Sequence, residues 1–161
     1  MRPGIVPAAL LFVALGLALA FGSRSARAAS LLALLAALGV FSFLPVPRAW
    51  LDGVFLGCWL AVIATLASVY LRRELGLVAA LVLSVDAGIW GTAVLSLSGS
   101  RFDLLKAVPC SLIVVPASWV VRRYGSVPVK VVSSWLIAVA VLAITLQFIP
   151  VTPGYQPDHL E

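Results

Sequence analysis

The chain has 161 residues, of which 63% are hydrophobic and 11% charged, with a mean hydropathy of +1.15. A soluble domain carries roughly 25% charged residues, so no water-soluble fold hides this much apolar surface. The formal charge of +5 would suggest nucleic acid in a soluble protein, but the basic residues stand singly or in pairs at the ends of apolar segments. There they read as topology signals, and nucleic acid is excluded as a partner.

The apolar residues fall into segments about as long as a bilayer is thick. The expected fold class is therefore an all-α integral membrane protein, a compact bundle of about six transmembrane helices. The expected spans are Ile5 to Gly22, Ser30 to Val46, Leu51 to Leu71, Leu75 to Leu97, Leu104 to Val121, and Val131 to Ile149. Residues 1–149 form one transmembrane domain, and 150–161 a Pro-rich extracytoplasmic tail. The second and fifth spans are short for a perpendicular crossing, which suits a kinked or partly re-entrant segment. Five or four spans are compatible with the same pattern.

The first segment has two readings. Arg2, an apolar core and "SARAAS" at Ser25 to Ser30 resemble a signal peptide cleaved after Ala28. The apolar run to Gly22 is longer than the usual core of such a peptide, which favours a retained helix. Small residues in it (Ala14, Gly16, Ala18, Ala20) suit close helix packing, as do Gly53 and Gly57, a G-x-x-x-G in the third span. Gly53 and Gly57 serve either internal packing or an interface with a second copy or another membrane protein.

The breaks at Gly22 to Ala29, Arg72 to Glu74 and Arg122 to Lys130 carry Arg24, Arg27, Arg72, Arg73, Arg122, Arg123 and Lys130. The opposite breaks and termini carry Arg2, Arg48, Arg101 and Lys106, together with Asp52, Asp103, Asp158 and Glu161. Lys and Arg in short loops stay on the cytoplasmic side. The expectation is an inner-membrane protein with both termini outside the cytoplasm.

The fourth span holds the most unusual residue. In "LVLSVDAGIWG", Leu81 to Gly91, Asp86 is the only charged residue between Glu74 and Arg101. It falls near the middle of its span, where an acid costs about 2.5–3.5 kcal/mol on insertion scales. At 100° per residue, Ser84, Gly88, Gly91, Thr92 and Leu95 share one face, and Asp86 lies nearly opposite beside Ala79, Leu83, Trp90 and Ala93. Neither face suits lipid, so the fourth helix is expected at the centre of the bundle.

Lys106 and Arg122 lie too far along the fifth span to pair with Asp86. Ser111 lies nearer the midplane, and Pro116 leaves the carbonyl of Leu112 without its helical donor. The expected site is thus Asp86 with Trp90, Ser111, Leu112 and Pro116, the fifth helix being kinked around Pro109 and Pro116. A neutral acid at rest would exchange a proton or cation when a cavity opens. The competing role is a hydrogen-bonded link between helices, served by the packing glycines Gly88 and Gly91.

Other polar residues (Thr65, Ser68, Ser133, Ser134, Thr145) are expected to satisfy themselves on nearby carbonyls. Trp50, Trp119 and Trp135 suit the aromatic belt, while Trp59 and Trp90 suit packing. Cys58 and Cys110 lie in apolar runs and read as small hydrophobes rather than a disulfide pair.

His159 is the sole histidine and Met1 the sole methionine. Ligation of haem, copper or zinc by intramembrane histidines is excluded, and no cofactor or metal is expected. An aspartyl protease needs two close carboxylates and a serine hydrolase needs a base at the same depth. The expected function is a small transporter or permease-like subunit with an intramembrane acidic site. The alternative is a non-catalytic assembly subunit of a larger membrane complex, and a lipid-acting enzyme comes third.

Overall fold

The computed structural model describes residues 5–43, 46–71, 75–98 and 107–148. It is all-helical, with helices α1 (Ile5–Leu19), α2 (Arg24–Phe41), α3 (Leu51–Leu71), α4 (Leu77–Ser98), α5 (Val114–Tyr124) and α6 (Val127–Phe148). A 3-10 turn at Arg48–Trp50 leads into α3, and a longer one at Val108–Ile113 leads into α5. By length and composition, α2, α3, α4 and α6 are each long and apolar enough to cross a membrane. The apolar α1 is shorter, at 15 residues.

Helix boundaries follow capping and proline chemistry more than apolar content. The Ser23 hydroxyl accepts from the Ala26 amide at 3.2 Å, starting α2 at Arg24, a turn and a half before the expected Ser30. Ser42 ends it by donating to the Leu38 carbonyl. Gly125, with φ +82, stops α5, a backbone conformation that favours glycine. Pro128 then falls in the first turn of α6, where the absent amide hydrogen costs nothing. That helix therefore begins at Val127 rather than Val131. The third span matches its expected limits.

The fifth element is broken. Pro109 opens the 3-10 turn and Pro116 sits in the first turn of α5, so both prolines start helical segments instead of kinking one. Residues 101–106, including Lys106, lie outside the described residues, as do the tail 149–161 and Arg72 to Glu74.

The centre of the bundle is α1, not α4. Pro7, Ala8, Leu11, Phe12 and every residue from Ala14 to Leu19 are buried. It packs against α3, α4, α5 and the Val108–Ile113 turn, whereas α2 packs mainly on α4 and α6 mainly on α3 and α5. A helix apolar on all sides belongs in a core. Cleavage after Ala28 would therefore remove the element that four others share.

Close approach depends on absent side chains. A Cβ added at Gly16 would lie 2.5 Å from Ile113 Cγ2 and 2.9 Å from the Ser111 carbonyl oxygen. One at Gly88 would lie 2.5 Å from the Ala37 Cβ, and one at Gly91 would lie 2.8 Å from the Phe12 ring. A Cβ at Gly53 would meet nothing within 4 Å.

The basic breaks gather at one end. Gly22 and Leu75 form an isolated parallel bridge, joining the α1–α2 link to the α3–α4 link. The Tyr70 hydroxyl donates to the Lys130 carbonyl, and the Lys130 ammonium sits 5.9 Å from the Tyr70 ring centroid. Arg27 lies within electrostatic range of Arg24 and Arg122.

Replacing Gly16 by Val overpacks the junction between α1 and the 3-10 turn and should destabilise the fold by about 1–3 kcal/mol. Gly53→Val should be close to neutral. Reversible unfolding in mixed micelles, followed by circular dichroism, measures both.

Candidate functional site

The stripes drawn on α4 from sequence have physical counterparts. Ser84, Gly88, Gly91, Thr92 and Leu95 are all buried, packed towards α1 and α2. Ser84 donates to the Ala80 carbonyl at 2.8 Å and Thr92 to the Gly88 carbonyl at 2.6 Å, so these hydroxyls enter the core without an orphaned donor. A third side, bearing Val78, Val82 and Val85, is exposed and apolar as far as Ser96 near the helix end.

Asp86 belongs to the stripe between these two. It is half-buried, with Ala79, Leu83, Trp90 and Ala93 at the same intermediate exposure along the helix. It stands nine residues after Leu77 and twelve before Ser98, roughly 14 Å and 18 Å along the axis. This is the middle of α4.

Two neighbours define its surroundings. Trp90, one turn further along, and the buried Cys58 of α3 both lie within electrostatic range of the carboxyl group. Among the described residues, no basic group acts on Asp86. The indole of Trp90 is held by α3: its six-membered ring lies against Gly57, where any Cβ would collide with it. Gly57 thus makes the slot that lets the Trp90 ring lie between α3 and α4, with its N–H available to the acid one turn away.

The expected partners on the fifth element are placed elsewhere. The Ser111 hydroxyl donates to the Val108 carbonyl at 2.8 Å, and the Ser111 carbonyl abuts Gly16 of α1. The Leu112 carbonyl is approached by the Val114 amide, and the Leu112 side chain is exposed. Pro116 lies two residues further, in the first turn of α5.

With the Gly22–Leu75 bridge as a common level, Asp86 stands eleven residues beyond Leu75 while Gly16 stands six before Gly22. The difference of five residues is about 7 Å of helix rise. The structure brings Asp86 together with Trp90 and Cys58, with Gly57 against the Trp90 ring, and seats the Ser111 carbonyl against Gly16 of α1.

Sequence reasoning placed Trp90 beside Asp86 but missed Cys58, whose only signal was its position next to Gly57 in an apolar run. It also misjudged two hydroxyls. Ser68, Ser134 and Thr145 donate to carbonyls of their own helices, but Thr65 and Ser133 are fully buried without a hydrogen-bond partner. The aromatic assignment has a counterpart in exposure: Trp50, Trp119 and Trp135 are 60–68% exposed, while Trp59 is 7% exposed.

Among the described residues, no three His, Cys, Asp or Glu side chains come together as a metal site. Chemically, the constellation offers one carboxyl group, one indole donor and one thiol. It suits reversible binding of a proton or a small cation and has no second acid or base for bond cleavage.

Substituting Gly57 by Ala should push the Trp90 ring from its slot. The expected readout is a change in Trp90 emission in a variant whose other tryptophans are replaced by Phe, with a loss of stability of about 1–3 kcal/mol. An unchanged spectrum would remove the slot. No protein-family model, curated protein or solved structure matches the chain, so the site stands on its own geometry.

Proposed function

We propose that the chain is a small polytopic inner-membrane protein, a transporter or permease-like subunit, in which Asp86 exchanges a proton or small cation. The observation that carries this reading is the lone carboxyl group at the middle of an apolar helix, half-buried and without a basic partner among the described residues. An acid so placed costs stability unless its chemistry is used. The exposed sides of α2, α4 and α6 support the bilayer as solvent, since Leu32, Leu35, Val78, Val82, Leu142 and Leu146 face outward.

In this reading, α2, α3, α4 and α6 cross the membrane in full. The shorter α1 lies sheltered within the bundle, and the broken fifth element, a 3-10 turn followed by α5, completes six passes. The basic end is cytoplasmic, and both termini lie on the opposite side.

The mechanism asks little of the fold. Movement of α3 against α4 opens the stripe beside Asp86 to water, the carboxylate loses its proton or captures a cation, and the Trp90 N–H steadies the ionised oxygen. Closure reverses this. The absence of a bulky side chain at Gly57 gives the indole room to shift during that movement. Neither a cofactor nor nucleic acid enters the scheme.

A second reading has an observation of its own. Gly53, the other half of the G-x-x-x-G, faces open space, and Gly39 of α2 does too. These bare backbone patches suit an assembly subunit that docks another membrane protein or a second copy of itself.

The Asp86→Asn variant separates the two. Purified protein in sealed vesicles, with a pH-sensitive dye inside and an imposed gradient, should show a proton or cation flux that this variant abolishes without changing its unfolding temperature. Flux that is equal in both proteins, or absent from the wild type across protons and alkali cations, would refute transport. Under the assembly reading, Gly53→Leu dissociates a co-purifying partner and Asp86→Asn leaves it bound.

A further inference from the structure

We infer that, in the conformation observed, Asp86 is reached from the end of the bundle opposite the basic breaks, and that the Trp90 indole is the gate on that route. The inference rests on the reading that Asp86 exchanges a proton or small cation, and it adds the route and the residue that closes it.

The basic end is held shut. Helices α3 and α4 pack against each other as a hairpin, and only five residues, 72–76, separate Leu71 from Leu77 at this end. Leu75 in this link bridges Gly22, whose carbonyl also accepts from the Arg27 Nε at 3.0 Å, so the link is fastened to α2. In the last turn of α3 the Tyr70 hydroxyl donates to the Lys130 carbonyl of α6, and the Lys130 ammonium lies 5.9 Å from the Tyr70 ring centroid. Two helices fastened at one end separate most at the other.

Trp90 stands between that free end and the acid. It lies one turn beyond Asp86, and long helical side chains lean towards the N-terminus of their own helix, so the indole extends back over the carboxyl group. The ring occupies the place of a side chain at Gly57, where a Cβ would collide with its Cη2 and Cζ3 atoms. Contact at that point closes the seam between α3 and α4.

Beyond the contact the seam is bare. Gly53 stands one turn further out on the same side of α3, and among the described residues a Cβ there would meet nothing within 4 Å. On α4 the next residue of the Asp86 stripe is Ala93, which presents a single methyl group. The G-x-x-x-G pair is thus a track for the indole: Gly57 holds the ring when the gate is closed, and the space at Gly53 receives it when the gate opens. A side chain at Gly53 would obstruct the swing without disturbing the closed state.

Cys58 supplies a reporter of opening. It follows Gly57 directly, is fully buried and carries a free thiol. The test labels it in sealed vesicles of both orientations with a small membrane-impermeant thiosulfonate, in the full chain with Cys110→Ser. Arg123 is exposed at the basic end, so a separate Cys58→Ser/Cys110→Ser/Arg123→Cys protein identifies which vesicles present that end.

Trp90→Ala should raise the rate of Cys58 labelling from the end opposite the basic breaks by roughly tenfold or more, as expected when a local opening barrier is removed. The rate from the basic end should stay as in the wild type. Gly53→Val should slow labelling several-fold while its unfolding temperature stays close to that of the wild type. A rise from both ends, no rise in Trp90→Ala, or a Gly53→Val protein that labels as fast as the wild type overturns the inference. Should Trp90→Ala fail to fold, the wild type decides: its slow labelling must be faster from the end opposite the basic breaks, and faster labelling from the basic end, or none from either, is decisive against the gate. Labelling reports access and needs no exchange, so equal flux in the wild type and Asp86→Asn sinks the transport reading while leaving one-sided labelling intact.

Discussion

Everything in this bundle depends on how closely its helices approach α1 and α4. Gly16, Gly57, Gly88 and Gly91 are the contact points, facing respectively the 3-10 turn, Trp90, Ala37 and Phe12. In an apolar solvent, burying one more leucine stabilises little, because lipid tails solvate it as well as a protein core does. Packing contacts and interhelical polar bonds must then hold the helices together. Dispersion attraction falls off over fractions of an ångström, so a missing Cβ decides whether two helices touch. The same contacts hold Trp90 beside Asp86.

How much of this was legible in the sequence follows from which property each signal reports. Apolar run length located the elements and matched α3 throughout, because its ends coincide with its change in polarity. It misplaced the starts of α2 and α6, because Arg24, Arg27 and Lys130 are charged yet helical, and caps rather than hydropathy set those ends. Angular periodicity on α4 was more faithful: the Ser84–Leu95 face is buried and the Asp86 face half-buried.

Neighbours between helices were the illegible part. Nothing in one sequence says that α1, the shortest of the apolar helices above α5 in length, occupies the centre. An unusual acid pointed to α4 as the hub, but an all-round apolar helix with three small residues, Ala14, Gly16 and Ala18, in its second half is better suited to that place. With α1 central, the Ser111 carbonyl packs at Gly16, while the neighbours found for Asp86 come from α3 and α4. Asp86 instead meets α3, which follows from Gly57 standing next to Cys58 in the turn that faces it.

The two polar features of the molecule then divide along the bundle axis. Asp86 stands eleven residues from the Gly22–Leu75 bridge, and Arg24, Arg27 and Arg122 cluster at that bridge's end. This is about 16 Å along the helices, so in water-containing surroundings the charges would be screened from each other beyond a Debye length of about 10 Å. In the proposed bilayer setting, the intervening medium is hydrocarbon and packed side chains, where screening by salt is absent. Under the proposed exchange at Asp86, a positive end would favour a cation leaving towards the opposite end.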